Sequence, residues 1–332
     1  MRNSKITGVG KYLPEKVVTN FDLEKIMDTS DAWIRERTGI IERRFVNPDI
    51  ETTSYMGAEA SKKALEMAGL KPQDIDFIIF ATLSADYFFP GAGCPMQIHL
   101  GIPGIGAMDI RNQCTGFIYG LATADQFIKT GMYNNILVVG SESHSAGLNM
   151  TTQGRDVAVL FGDGAGAAVV SATDEKNKGI LVNKLHADGT YARELCVINP
   201  GSFTHPIVSH KDIDEGTIYP YMNGKYVFKH AITRFPEVIL ESLESAGHTI
   251  GEVDLVIPHQ ANQRITEAVQ IRLGLPKEKV YSNIHKYGNT TAASIPIAMT
   301  DALEEGLIHD NDLISLASFG SGFTWAASLI RW

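Results

Sequence analysis

The sequence predicts an α/β protein built from two similar halves, and three observations carry that expectation. Short apolar, β-branched runs alternate with segments of helical spacing, the pattern of sheets covered by helices. A unit of helix, short loop, acidic residue and buried strand occurs twice, as "ALEMAGLKPQDIDFIIFAT" and as "SAGHTIGEVDLVIPHQ". The chain has 332 residues, and single cores usually stop growing at ~250–300 residues.

Taken in order, the first half reads as a helix over 54–68, a strand in "DFIIFAT" (76–82), a strand in "GAMDI" (106–110) and a helix over 115–130. Strands follow in "NILVVGSES" (135–143) and "GAGAAVVSA" (164–172). The polar stretch "TDEKNK" (173–178) marks the expected seam, which divides the chain into halves 1–173 and 174–332. Residues 187–225 carry few regular signals and many Gly, Pro and His, and read as an inserted surface or lid segment. The second half continues with strands in "DLVIPHQ" (254–260) and "DLISLASFGSG" (312–322). In each half about sixty residues separate two such buried runs, which is the mark of a duplication.

Composition narrows the function classes. With 44% hydrophobic and 20% charged residues the chain is an ordinary globular α/β protein. A net charge of -9 argues against general nucleic-acid binding. Neither an apolar leader nor a run long enough to span a membrane is visible, so a cytoplasmic protein is expected. Three scattered cysteines, Cys94, Cys114 and Cys196, fit neither a disulfide framework nor a zinc site, and no close histidine spacing suggests a metal.

Chemistry concentrates on "DIRNQCTGF". Phe117, Ile118, Leu121, Ala124, Phe127 and Ile128 form one apolar helix face, so Cys114 falls at a strand-to-helix turn. A helix N-terminus stabilises a thiolate, and a thiol pKa drawn down toward neutrality is expected there. A buried, inert cysteine is the competing reading, and the local residues alone do not choose. Cys94 and Cys196 have no such setting and read as packing or surface thiols. His259, just past the strand of "LVIPHQAN", Asn289 in "YGNTTAAS" and the turn "SFGSGF" each lie at an element end. Singly each has a plain structural reading; together with Cys114 they form a set at the edge where α/β halves build sites.

These residues carry a family resemblance. "DIRNQCTGFIYGL", "FGDGAGAAVV", "VIPHQANQRI", "YGNTTAASIPIA" and "FGSGFTWAASLIRW" occur in the order found in the β-ketoacyl-acyl carrier protein synthase III family of the thiolase superfamily, and the similarity runs from "ITGVGKYLPEKVVTN" to the last residue. The resemblance implies a duplicated βαβαβαββ fold in five layers, α-β-α-β-α. It also implies decarboxylative condensation of an acyl-CoA with malonyl-acyl carrier protein, without a cofactor, in a homodimer. Cys114 matches the acyl-accepting nucleophile, and His259 and Asn289 match the decarboxylation pair. The backbone amides of Cys114 and Ser321 match the oxyanion hole, and Phe319 the aromatic near the condensation site. Trp33 and Arg155 resemble the residues that hold the adenine of coenzyme A. Arg37, Asn262, Thr29, Phe228 and Gly224 line the expected nucleotide and pantetheine path. Arg264 and Lys229 resemble basic residues that dock the carrier protein. Phe89, in "YFFPG", matches an aromatic that reaches the neighbouring subunit's acyl pocket.

Related classes differ in stated residues. A thiolase would carry a second cysteine near the C-terminal glycine motif, where "FGSGF" has none, and elongating synthases have a histidine in place of Asn289. Polyketide synthases share Cys-His-Asn but usually end in a different glycine motif. A hydroxymethylglutaryl-CoA synthase needs an acidic residue near the nucleophile, for which Asp86 and Glu142 are the candidates. A noncatalytic acyl-CoA-binding subunit would be expected to have lost one of the three site residues. Three features depart from the common pattern of the family: Arg111-Asn112-Gln113 before the cysteine, Gly-Ser-Gly in the last turn, and a longer segment at 199–221. The first and last lie toward the acyl pocket and the entrance, so either a primer longer than acetyl or service in a specialised pathway instead of general fatty-acid initiation is expected.

Overall fold

The structure, a computed structural model, describes residues 2–332. Two sheets organise it. The first has five strands in the order Asn3–Tyr12, Gly164–Thr173, Asn135–Glu142, Phe77–Ala81, Gly106–Ile110, and the last three run parallel. The second has four, in the order Gly179–Ala187, Thr324–Arg331, Leu313–Gly320, Leu255–Pro258, with the last pair parallel. Where the first sheet has its fifth strand, the second has a single parallel bridge between Val256 and Val280. Chain order and strand directions therefore repeat from one sheet to the other.

Five layers result, α-β-α-β-α. Helices Thr53–Ala68 and Gly93–Leu100 cover the outer face of the first sheet, and helices Gly224–Ala246 and Gln263–Leu273 cover that of the second. Helices Gly116–Lys129 and Ser294–Glu304 lie between the sheets. The central strands are covered on both faces, which is why they read as unbroken apolar runs. Between the sheets Phe117, Ile118 and Leu121 of one half pack with Ile257, Ile295, Met299 and Leu316 of the other in one cluster. Each such side chain contributes about 1.5–3 kcal/mol on full burial.

Local chemistry sets the helix ends. Thr52 accepts the Tyr55 amide at the start of Thr53–Ala68, and Gly69, at φ 66°, closes it. Residues 187–225 form short pieces: a two-residue strand pairing of Leu195–Cys196 with Tyr221–Met222, and the helix His210–Asp214. No helix among the described residues is long and apolar enough to cross a membrane.

Candidate active site

Cys114 sits in a 3-10 turn, Gln113–Thr115, that feeds directly into helix Gly116–Lys129. Gln113, at φ 44°, makes the sharp reversal after strand Gly106–Ile110. The other half holds the turn in place. Ser318 Oγ donates to the Cys114 carbonyl at 2.7 Å, and Thr115 and Thr324 share a hydroxyl hydrogen bond of 2.8 Å. Gly320 admits the cysteine, because a Cβ there would stand 2.6 Å from Cys114 Cβ and 2.9 Å from Sγ.

The thiol is buried, and this overturns the expected fall in its pKa. Burial pushes Cys114 up to about 12, with the Glu142 carboxyl adding to the rise. The backbone amides of Cys114 and Ser321 hydrogen-bond toward the sulfur and pull the other way without prevailing. Ser321 thus aims its amide at the site, while its hydroxyl donates to the Leu195 carbonyl.

His259 follows strand Leu255–Pro258 directly, its amide bonded to the Ala317 carbonyl at 2.8 Å. Its Nδ1 lies 2.6 Å from Ser294 Oγ, which accepts the Gln260 amide at 3.4 Å. With the Ser294 hydroxyl as donor to Nδ1, the ring proton of the neutral imidazole sits on Nε2. Nε2 is buried and has no partner among the described residues. Burial, with His144 nearby, lowers the His259 pKa to about 3, so the ring is neutral.

Asn289 stands in the turn before the second central helix. Its backbone pairs with the first half: Asn289 N–H donates to Leu160 O at 2.8 Å, and Gly162 N–H to Asn289 O at 3.1 Å. Its Oδ1 accepts the Thr291 amide at 2.9 Å, which leaves the amide Nδ2 as the free donor. Thr291 hydroxyl meets His144 Nε2 at 2.7 Å. Phe319, 3% exposed, packs against Phe323 beside the same strand ends.

Both acidic candidates are occupied. Asp86 accepts the Ser54 amide at a helix start. Glu142 accepts from Ser84 Oγ at 2.6 Å, Thr82 Oγ1 at 3.1 Å and the Leu83 amide. Burial lifts it to about 7 against those bonds and one from the Ala292 amide.

A second group lies on the small lobe of residues 17–44. Trp33 stands between two guanidinium groups, Arg37 at 4.6 Å and Arg155 at 5.0 Å from the ring centre. Asn262 caps helix Gln263–Leu273 through Arg264 N and bridges to Arg37 O at 3.0 Å. Thr29 Oγ1 is buried without a partner. Gly224 opens helix Gly224–Ala246, and Phe228 on that helix is covered by the Arg264 guanidinium at 5.7 Å. Lys229 and Arg264 are exposed, as is Phe89 at 81%.

Two family profiles match this chain: 3-oxoacyl-[acyl-carrier-protein (ACP)] synthase III over residues 108–189, and the C-terminal region of the same enzymes over residues 243–332. The chain is 49% identical over 327 residues to the β-ketoacyl-[acyl-carrier-protein] synthase III of Caldanaerobacter subterraneus subsp. tengcongensis, covering 98% of this chain and 97% of that one. The chain belongs to the 3-oxoacyl-[acyl-carrier-protein] synthase III family.

Bacillus anthracis has a synthase III that is also 49% identical, over 330 residues and 99% of each chain. A crystal structure of the synthase III from Aquifex aeolicus VF5 superposes with a TM-score of 0.91 at 46% identity, covering 99% of this chain and 100% of that one. The fold is accordingly the thiolase-like one of these synthases, and the chain is a condensing acyltransferase of that type. Arg111 and Gln113 stand just before the cysteine of this synthase III chain. Arg111 lies over the Phe88 ring at 5.9 Å, and Gln113 supplies the left-handed step. Sequence reading singled out Cys114, His259 and Asn289 but missed Ser294, Ser318, Thr291 and His144. Ser294 and Thr291 stand within the "NTTAAS" run; a lone histidine after a strand carried no signal.

Proposed function

We propose that this chain condenses an acyl-CoA primer with malonyl-acyl carrier protein to a 3-oxoacyl thioester, the first elongation of fatty-acid synthesis, through an acyl group carried on Cys114. The observation that supports it best is the packing of the Cys114 turn, with two backbone amides aimed at its buried thiol, against the strand beside His259 and the turn that follows Asn289.

In the first half-reaction the Cys114 sulfur attacks the thioester carbon as its proton is lost. The amides of Cys114 and Ser321 meet the developing oxyanion, donors each worth roughly 10²–10³ in rate in comparable sites. The carbon–sulfur bond to coenzyme A breaks, and its sulfur leaves with the electron pair and takes up the proton given up by Cys114. In the second, the malonyl carbon–carboxylate bond breaks and carbon dioxide departs. The electron pair enters an enolate whose oxygen accepts from His259 Nε2–H and Asn289 Nδ2–H. A neutral imidazole suits this role, since burial holds His259 unprotonated. The enolate carbon attacks the acyl carbonyl, the bond to Cys114 breaks, and the sulfur is released for another cycle. No step calls for a metal or redox cofactor.

The double guanidinium contact on Trp33, the orphaned Thr29 hydroxyl and the path past Asn262, Gly224 and Phe228 support a coenzyme A site. Arg264 and Lys229 form the docking point for an acidic carrier protein. The exposed Tyr87, Phe88 and Phe89 fit a second copy of the chain. Cytoplasmic location belongs to the same reading. The primer in this reading is longer than acetyl, because Arg111 and the 199–221 segment depart from the common pattern of the family.

Intact-mass measurement after incubation with acyl-CoAs of graded length, together with carbon dioxide release from malonyl-carrier protein, tests the whole. Cys114→Ala should abolish loading, whereas His259→Ala should load normally and lose decarboxylation. Loading that survives Cys114→Ala would overturn the nucleophile assignment, and acetyl-only loading would overturn the longer primer.

A further inference from the structure

We infer that His144 is a positioning residue for the condensation half-reaction: through the Thr291 hydroxyl it holds the Asn289 carboxamide with its N–H, not its C=O, facing the substrate. The inference rests on the proposed role of Asn289.

The chain of contacts is continuous. Asn289 presents Nδ2 only because its Oδ1 is engaged by the Thr291 amide at 2.9 Å. Thr291 delivers that amide from a left-handed conformation, φ 48°, which a β-branched residue adopts only when its surroundings enforce it. The enforcing contact on its side chain is His144 Nε2 at 2.7 Å. His144 is itself immobilised. It is 8% exposed and lies against the Phe161 ring at 4.7 Å, and Phe161 forms the backbone bridge to Asn289. The Asp163 carboxylate is held by the Ser145 amide and the Val46 amide, each at 2.8 Å, so the residue that follows His144 is anchored.

Without the imidazole, Thr291 can relax toward a negative φ and its amide turns away from Asn289. The carboxamide is then free to rotate by half a turn. Rotated, it sets a carbonyl oxygen against the enolate oxygen, which repels the charge that the N–H stabilises. The first half-reaction uses neither Asn289 nor Thr291. The defect therefore falls on decarboxylation alone.

The test measures acyl loading on Cys114 and carbon dioxide release from malonyl-carrier protein in the same preparations. His144→Leu should load at the wild-type rate and lose roughly tenfold in kcat for decarboxylation, with little change in KM, because the misplaced donor acts on the enolate rather than on ground-state binding. Thr291→Val, which keeps the branched shape without the hydroxyl, should show the same loss, and adding it to His144→Leu should cost nothing further. His144→Gln, whose amide nitrogen reaches the place of Nε2, should restore most of the rate. Equal losses of loading and decarboxylation in His144→Leu, or additive losses in the double variant, would reduce His144 to a packing residue and overturn the inference. Wild-type decarboxylation by Asn289→Ala would instead sink the reading on which it rests.

Discussion

At the residue scale the site is governed by burial. Cys114, His144, His259 and Glu142 all lie out of water, and each is driven toward its neutral form. For the thiol the sign is simple: the reactive thiolate is the charged form, so its fraction grows with pH until the raised pKa near 12 is passed. Alkylation of Cys114 by iodoacetamide, followed by peptide mass spectrometry, should rise about tenfold per pH unit from 7 to 9 without levelling off. A plateau near neutrality would contradict the buried, neutral resting thiol. Local sequence suggested the opposite shift, because the favourable end of a helix is legible in a string of residues and desolvation is not. Cys114, His259 and Asn289 stood out in the sequence because the proposed chemistry uses those residue types in short, ordered motifs. His144 was not, since its partner Thr291 lies 147 positions away in the chain.

At the element scale, the covered central strand Phe77–Ala81 was readable nearly to the residue in "DFIIFAT", and the part-exposed edge strand Gly106–Ile110 was readable in "GAMDI". The sheet-edge strands Asn3–Tyr12 and Gly179–Ala187 escaped, because they mix lysine, threonine and asparagine with their apolar residues and are only partly covered. Strand ends matter more than strand middles here. Gly320, at the end of Leu313–Gly320, touches the nucleophile, and Gly140 in Asn135–Glu142 does the same for the Asn289 turn, where a Cβ would stand 2.3 Å from Ala292 O. Gly320→Ala should therefore displace Cys114 and lower loading by about a hundredfold, a loss comparable to that of one oxyanion donor. Ser321→Ala keeps the backbone amide and should load within about threefold of wild type, since only its bond to Leu195 O is lost. Comparable defects in the two variants, measured by intact mass over time, would show that the serine hydroxyl and not the backbone geometry carries the turn.

At the scale of the whole molecule, the two halves complete each other. Ser318 and Gly320 of the second half seat Cys114 of the first, while Leu160, Gly162 and Glu142 of the first seat the Asn289 turn of the second. The apolar cluster between the sheets draws on both halves and has no boundary along the seam at 173–178. Calorimetry should accordingly record one cooperative unfolding transition, and a segment 1–173 expressed alone should not fold; two separable transitions would mean that the halves are independent units. Sequence by itself determined the α/β class, the repeated unit, several buried strands and the family, because periodicity and short motifs are local properties of a chain. Tertiary structure alone decided that the Cys114 turn packs against the strand Leu313–Gly320 and the turn after Asn289, that burial raises the thiol pKa, and that His144 of one half reaches Thr291 of the other. Those outcomes depend on which surfaces exclude water and which distant backbones come within hydrogen-bonding distance, and both arise only once the two sheets have closed on the helices between them.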